Sequence, residues 1–120
     1  MQREQIEEKS LQILIGEPLS AVTFVQDYLQ LHFDGPFLTV FSHSIVRIGD
    51  QAFHVGKPGF RDALCSNIAK NVTKVQVVYG ESISIRFVDG SMINIPLQDA
   101  SCLDGEAVNF AAGSNVWWSL

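Results

Sequence analysis

Two Asp-Gly dipeptides constrain the fold of this chain more than any other feature. Asp34-Gly35 and Asp89-Gly90 each stand between two segments in which apolar and polar residues alternate. Alternation with a period of two is typical of β-strands that bury one face, and Asp-Gly between two such strands is a strong signal for a β-hairpin. The sequence therefore predicts two antiparallel hairpins, one in each half of the chain.

The alternation also predicts the register of both hairpins, because apolar residues must face apolar residues across each turn. The expected partners are Leu31 with Leu38 and Leu29 with Val40 in the first hairpin, and Ile85 with Ile93 and Ile83 with Ile95 in the second. The first register leaves Asp34-Gly35 as a two-residue type I′ loop. Because Pro36 removes one ladder hydrogen bond, a wider loop is the alternative. The second register requires a three-residue loop that ends at Gly90 in a left-handed bulge.

The hairpins belong to two longer segments that resemble each other, at about residues 3–55 and 60–110. Up to the first strand the offset is 53 residues, and it grows to 54 and then 55 at the turns. The matched pairs include Leu11 with Leu64, Ile15 with Ile68, Leu19 with Val72, Ser20 with Thr73, Val22 with Val75 and Val25 with Val78. We interpret this as an internal duplication; the alternative is that any two helix–hairpin segments look alike.

Each copy is interpreted as a helix followed by three strands, with a fourth strand left open. Helices are expected at residues 3–15, with Gly16 as the stop and Pro18 beyond it, and at residues 60–68. The second helix carries a core-facing stripe of Phe60, Ala63, Leu64, Asn67 and Ile68. First strands are expected at Ala21–Val25 and at residues 74–79.

The predicted fold class is α+β, with two related α-β-β-β units in one domain that spans residues 1–120. The antiparallel strands form a sandwich, a roll or a partly closed barrel on which both helices pack. A single shared core is expected because half of 120 residues is marginally stable alone.

Composition narrows the class of protein. The chain is 47% hydrophobic and 18% charged, as is ordinary for a globular protein, and its net charge of −5 disfavours nucleic-acid binding. No segment has the length of a signal peptide or a membrane span, so a cytoplasmic location away from membranes is expected. Cys65 and Cys102 are interpreted as reduced thiols or core residues, with a disulfide as the alternative.

No catalytic motif is present. His32, His43 and His54 are evenly spaced and a cysteine is available as a further ligand, but no two of these residues have the short spacing that assembles a zinc site locally. Ser42-His43-Ser44 brings a nucleophile and a base together, although neighbours on a strand point to opposite faces. The sequence therefore predicts no catalytic residue, no cofactor and no metal, and it favours a protein that is not an enzyme.

Two surfaces stand out as candidate sites. The candidate interaction surface is the aromatic outer face of the first hairpin with the C-terminal tryptophans: Tyr28, His32, Phe37, Phe41, Trp117 and Trp118. The candidate basic patch flanks the second helix: Lys57, Arg61, Lys70 and Lys74. Aromatic residues are enriched in protein interfaces, and a basic patch attracts phosphate or an acidic partner. The alternatives are that the C-terminal segment, with Phe110, covers the aromatic face, and that the patch is an ordinary solvated helix face.

The segments DYLQLHFDGPFLTV, GFRDALC, SISIRFVDGSMINIPL and GEAVNF resemble small bacterial families of about this length that have no characterised function. The chain is also similar in type to the immunity proteins of bacterial toxin systems, which are small, acidic, cytoplasmic α+β domains. The expected function is a non-enzymatic module that binds a protein partner or forms a homodimer, with an immunity-type inhibitor as the specific form. The alternative is a small-molecule or metal-binding protein, or an enzyme, with its site between the two halves near the histidines.

Overall fold

The structure is a computed structural model that describes residues 9–98, 107–112 and 117–119. The start of the predicted first helix and Cys102 lie outside the described residues. The strands are β1 (Ala21–Val25), β2 (Tyr28–His32), β3 (Phe37–Val40), β4 (Ile45–Ile48), β5 (Gln51–His54), β6 (Val72–Val78), β7 (Ser82–Phe87), β8 (Met92–Pro96), β9 (Val108–Ala111) and β10 (Trp117–Ser119). Among the described residues, the helical segments are residues 9–11, the 3-10 turn at Gln12–Leu14 that follows them, and the helix α1 at Phe60–Cys65.

These strands form two five-stranded antiparallel sheets around one core. Sheet 1 has the order β1-β2-β3-β9-β10, and sheet 2 has the order β5-β4-β8-β7-β6. Leu31 and Phe110 of sheet 1 and Ile85 and Ile93 of sheet 2 belong to the same buried cluster, which Leu64 of α1 completes. The α+β class is confirmed in this broad form. Among the described residues, no helix is long and apolar enough to cross a membrane.

The first hairpin has the predicted register. Leu31 lies opposite Leu38 in the β2–β3 pair. The N–H of Phe33 donates to the carbonyl of Pro36 over 2.8 Å and closes the two-residue loop Asp34-Gly35, in which both residues have positive φ. Positive φ at both positions is what a type I′ turn requires, so Pro36 does not widen the loop.

The second hairpin is confirmed in the same way. Ile85 lies opposite Ile93 in the β7–β8 pair. The N–H of Phe87 donates to the carbonyl of Ser91 over 2.9 Å, which leaves three residues in the loop. Gly90, the last of them, has a φ of 88° as the predicted bulge demands.

Both predicted helices end earlier than expected. In the first half, residues 9–11 are helical, the 3-10 turn ends at Leu14, and Ile15 is already extended. In the second half the helix ends at Cys65, three residues before the predicted end at Ile68. Ile68 is 39% exposed and forms an isolated β-bridge with Leu19, so its predicted place in the core is wrong. The bridge requires extended backbone, which the helix cannot supply.

The strands differ from the prediction in number and in the bounds of β6. β1 has the predicted bounds, whereas β6 spans Val72–Val78 instead of residues 74–79, and a register irregularity separates Val72 from Lys74. Each half contributes five described strands rather than three or four, because β4–β5 and β9–β10 form a further hairpin in each half.

Each of these two additional hairpins belongs to the sheet that contains the first three strands of the other half. β9–β10 of the second half extend β1–β2–β3, and β4–β5 of the first half extend β8. The strand order of sheet 2 is therefore the strand order of sheet 1 with the two halves interchanged. The duplication in sequence that would explain this order stays a prediction.

α1 packs between the two sheets. It contacts edge strand β1 of sheet 1 and strands β4 and β5 of sheet 2. Phe60, Ala63 and Leu64 are its buried residues, as the predicted stripe requires. The N-terminal end of α1 thereby lies close to the β1–β2 turn, and a cleft opens at this point.

Candidate functional site: a cleft beside the N-terminal end of α1

The cleft has a volume of about 800 Å³ and is lined by residues from both halves of the chain. Its walls are residues 24–29 around the β1–β2 turn, residues 40–43 after β3, and residues 55–62 in the linker and the start of α1. A volume of this size lies within the range of about 300–1,000 Å³ that is usual for ligand sites.

An aromatic pair forms one side of the cleft. The ring centroids of Tyr28 and Phe41 lie 5.5 Å apart with an interplanar angle of 54°. Both residues line the cleft and are half-buried. A tilted pair at this distance is a favourable arrangement for two rings, so the pair offers a preformed apolar surface.

Charged side chains of both signs line the same cleft. The guanidinium carbon of Arg61 lies 5.6 Å from the ring centroid of Phe24, within range of a cation–π contact. Lys57, Asp27 and Asp62 are the other charged residues of the lining. None of these four charges forms a salt bridge with another residue in the described ranges 9–98, 107–112 and 117–119. They are therefore available to a ligand of mixed charge.

Ser42 adds a buried hydroxyl to the lining. Its side-chain oxygen has no hydrogen-bond partner among the described residues, although the residue is only 4% exposed. A buried polar group without a partner costs roughly 1–3 kcal/mol. Because the oxygen is buried, a ligand in the cleft could bond to it and recover part of that cost only after a local shift of the lining.

The candidate interaction surface is only partly at the cleft. Tyr28 and Phe41 line it, whereas His32 and Phe37 do not. His32 stacks on Phe37 at the other end of the hairpin, with ring centroids 5.5 Å apart and an interplanar angle of 30°. Tyr28 and His32 alternate with the buried residues of β2 and therefore lie on the outer face of sheet 1. Phe37 and Phe41 lie on the same face, because their rings contact those of His32 and Tyr28.

The two C-terminal tryptophans do not share one position relative to these residues. Trp118 packs against the core, and its ring centroid lies 5.2 Å from that of Phe110. Trp117 pairs through its backbone with Ala111, and its side chain lies outside the described part of the structure. In the described residues, β9 and β10 lie beside β3 and Phe110 faces the core, so these strands extend sheet 1 and do not cover its outer face.

The candidate basic patch is also divided. Lys57 and Arg61 line the cleft, whereas Lys70 and Lys74 do not. Lys74 is exposed on β6, and Lys70 forms an ion pair with Asp89 at 2.5 Å. Because the charges of Lys70 and Asp89 neutralise each other, Lys70 is not available to an acidic partner.

The Lys70–Asp89 pair belongs to a network that ties the end of α1 to the β7–β8 hairpin. Asp89 also accepts hydrogen bonds from the hydroxyl and the N–H of Ser91, and Lys70 donates to the amide oxygen of buried Asn67. The bond from Lys70, followed by the two bonds from Ser91, lowers the pKa of Asp89 well below its usual range. The network has a structural role, because every charged group in it is paired.

The three histidines do not converge. His32 is on the outer face of sheet 1, His43 is at the cleft, and His54 is exposed on β5 opposite Ile45. Within residues 9–98, 107–112 and 117–119, no three side chains of His, Cys, Asp or Glu come together as metal ligands. Cys65 is a free, exposed thiol.

Phe24 and Ser42 belong to the cleft but were not identified from the sequence. In the sequence, Phe24 is one more apolar residue of β1, and Ser42 is one of two serines beside His43. Their place at a site depends on α1 packing against β1, which is a contact between distant parts of the chain. No local signal in the sequence carries that information.

Comparisons of the chain with protein-family models, with curated proteins and with solved structures found no match.

Proposed function

We propose that this protein is a non-enzymatic binding module whose cleft receives a segment of a partner protein. The observation that carries the proposal is the juxtaposition of the Tyr28–Phe41 pair with Arg61 and Lys57 in one cleft. Tyrosine, phenylalanine and arginine are enriched in protein interfaces. Tyrosine and arginine are also among the residues that contribute most of the binding free energy.

The charges of the cleft indicate what kind of segment fits. An apolar or aromatic side chain of the partner packs against Tyr28 and Phe41. Carboxylates beside it pair with Arg61 and Lys57, and a basic residue pairs with Asp27. Each of these charges lacks an ion-pair partner in the described structure, so the complex gains pairs without breaking any.

In its most specific form the proposal is an immunity-type inhibitor in the bacterial cytoplasm that binds a toxin. The resemblance to immunity proteins and the net charge of −5, which favours association with a basic partner, support this form. A basic toxin recovered as the bound partner would identify it.

The experiment is site-specific photo-cross-linking in cells of the source organism. A photoreactive phenylalanine replaces Phe41 in one version of the protein and Pro96 in the control. Pro96 stands where the repeat alignment pairs it with Phe41, and both residues are half-buried on the outer face of their sheet. We expect one partner to be captured from position 41, and its capture to be lost when Arg61→Glu is added.

The result that overturns this function is equal capture from positions 41 and 96, or capture from neither. Capture from position 41 that Arg61→Glu does not change would also overturn it, because the charged side of the cleft would then have no role. The thermal unfolding of each version is measured beside the wild type, so that a loss of capture is not mistaken for a loss of fold.

A small-molecule ligand is the second candidate, because the volume of the cleft and the unpartnered hydroxyl of Ser42 both suit one. It predicts that compounds in a thermal-shift screen stabilise the wild type. It also predicts that Ser42→Ala weakens this stabilisation while it leaves the unfolding of the free protein nearly unchanged, and that His43→Ala weakens the stabilisation as well. A screen without any stabilising compound would favour the protein partner.

A further inference from the structure

The two halves of the chain meet through hydrogen bonds that occur in reciprocal pairs. The N–H of Gly16 donates to the carbonyl of Val72 over 2.8 Å, and the N–H of Ala69 donates to the carbonyl of Leu19 over 2.8 Å. In the repeat alignment, position 16 corresponds to 69 and position 19 to 72, with an offset of 53. The second bond is therefore the first with the two halves interchanged.

A second pair of bonds repeats this relation. The N–H of Leu19 donates to the carbonyl of Lys70 over 3.1 Å, and the N–H of Val72 donates to the carbonyl of Glu17 over 2.9 Å. Positions 17 and 70 correspond at the same offset of 53. Four bonds between distant segments thus obey one exchange rule, which chance likeness of two hairpins does not explain.

The centre of this relation is the bridge between Pro18 and Asn71. These two positions also correspond at the offset of 53. Equivalent positions face each other only where a two-fold axis passes between them. The isolated bridges on either side, Ile15 with Val72 and Leu19 with Ile68, are again a reciprocal pair.

The sheets follow the same relation at larger scale. β3 of the first half pairs with β9 of the second, and β8 of the second half pairs with β4 of the first. Each half therefore has three strands of one sheet and supplies the two strands that complete the other. A half on its own would leave β3 or β8 as an open edge.

We propose that the surface between the halves is an exchange surface, which accepts the corresponding half of a second copy of this chain and forms a two-fold, domain-swapped dimer. The contacts are the same whether the other half belongs to the same chain or to another copy. The balance between monomer and dimer then depends on the protein concentration and on the linker that joins the halves.

The linker between β5 and α1 is short and constrained. The N–H of Lys57 donates to the carbonyl of His54 over 3.0 Å, which makes a tight turn. Gly59 has a φ of 88°, and a Cβ placed on it would lie 3.1 Å from Cδ1 of Phe53. A bulky residue at Gly59 therefore strains the closed linker, whereas an extended linker in an exchanged dimer releases that strain.

The test compares Gly59→Val with Gly49→Val in the full chain. Gly49 is the matched control because it also has positive φ, but it lies in the β4–β5 turn, outside the linker, and a Cβ placed on it would meet no atom within 4 Å. Both variants are refolded over a range of protein concentrations, and their mass is measured by light scattering after size-exclusion chromatography. We expect Gly59→Val to raise the association constant of the dimer by roughly tenfold or more for each of the two linkers that the exchange relieves of strain. Gly49→Val should leave this constant unchanged.

A second measurement separates exchange from ordinary surface association. Twelve added Gly and Ser residues in the linker of Gly59→Val relieve the strain in the closed chain and should return it to the monomer. Folded Gly59→Val that stays monomeric at every concentration overturns the proposal. A dimer that is insensitive to linker length does so as well.

Deletion of residues 56–58 is the second variant, for the case in which Gly59→Val does not fold. Because the shortened linker prevents the halves of one chain from closing on each other, we expect a dimer with the β-sheet circular dichroism of the wild type. A folded monomer of the deletion variant would show that the halves do not exchange. The same conclusion would follow if Gly59→Val and the deletion variant both failed to fold while the variant with the lengthened linker folded only as a monomer. This inference does not rest on the proposed function of the cleft, although the linker is one wall of the cleft and the linker variants change that wall.

Discussion

Gly16 and Ala69 have the same left-handed backbone conformation at corresponding places in the two halves, with φ of 89° and 78°. Each donates its N–H across the contact between the halves. Glycine adopts this conformation without strain, whereas an alanine is strained in it by its Cβ. The contact between the halves therefore imposes the conformation on Ala69, since the local sequence does not favour it.

We expect Ala69→Gly to stabilise the protein. The left-handed conformation costs an alanine roughly 1–2 kcal/mol, and the greater freedom of glycine in the unfolded chain cancels part of the gain, so the free energy of unfolding should rise by about 0.5–1 kcal/mol. Urea denaturation measures the change. Gly16→Ala is the converse substitution and should lower the free energy of unfolding by about 1 kcal/mol or more; a destabilising Ala69→Gly would contradict this account.

Leu11 and Leu64 correspond in the repeat alignment, and both are fully buried. Each substitution to alanine should lower the free energy of unfolding by roughly 2–5 kcal/mol, because it removes buried methyl groups and leaves a cavity. Ile15 and Ile68 are a matched pair of controls, since they also correspond but are 42% and 39% exposed. Their alanine variants should cost less than about 1 kcal/mol. Equal costs at buried and exposed positions in a chemical denaturation series would be incompatible with the described core.

The stability of the protein should depend on the ionisation of Asp89. The hydrogen bond from Lys70 is the main cause of the lowered pKa of Asp89, and the bonds from Ser91 add to it. A carboxyl group whose pKa is lower in the folded state stabilises the fold above its unfolded pKa of about 3.9, and this contribution is lost as the pH falls through the folded pKa. Asp89→Asn should therefore be less stable than the wild type at pH 7, and the difference should shrink below about pH 4.

Thermal unfolding at a series of pH values measures this difference. Lys70→Met removes the main partner of Asp89, so the double variant with Asp89→Asn should be little less stable than either single variant. A difference between Asp89→Asn and the wild type that stays constant from pH 7 to pH 2 would exclude this role for the ion pair.

Phe37 and Phe41 share the outer face of sheet 1, but only Phe41 lines the cleft. We expect Phe41→Asp to abolish the association with the partner, because it places a charge on the apolar side of the cleft. Phe37→Asp should weaken the association less, and the double variant should resemble Phe41→Asp. The amount of partner that co-purifies with each variant gives the result, with circular dichroism as the check on folding. If Phe37→Asp had the larger effect, the binding surface would be the whole sheet face and not the cleft.

The sequence alone determined the local features of this fold. Both hairpin registers, the two-residue loop at Asp34-Gly35 and the left-handed Gly90 were predictable, because side-chain alternation and turn conformation are set by neighbouring residues. The ends of the helices were not predictable. Ile68 forms a bridge with Leu19, which belongs to the other half of the chain. Because of this bridge, α1 ends earlier than its apolar stripe indicates.

Only the tertiary structure decided which strands complete each sheet and which side chains share the cleft. The pairing of β3 with β9 and the packing of Arg61 on Phe24 join residues that are far apart in the sequence. Many pairings of amphipathic strands satisfy the same alternating pattern. The choice among these pairings depends on the free energy of the whole packed core. No single segment of the chain determines that free energy.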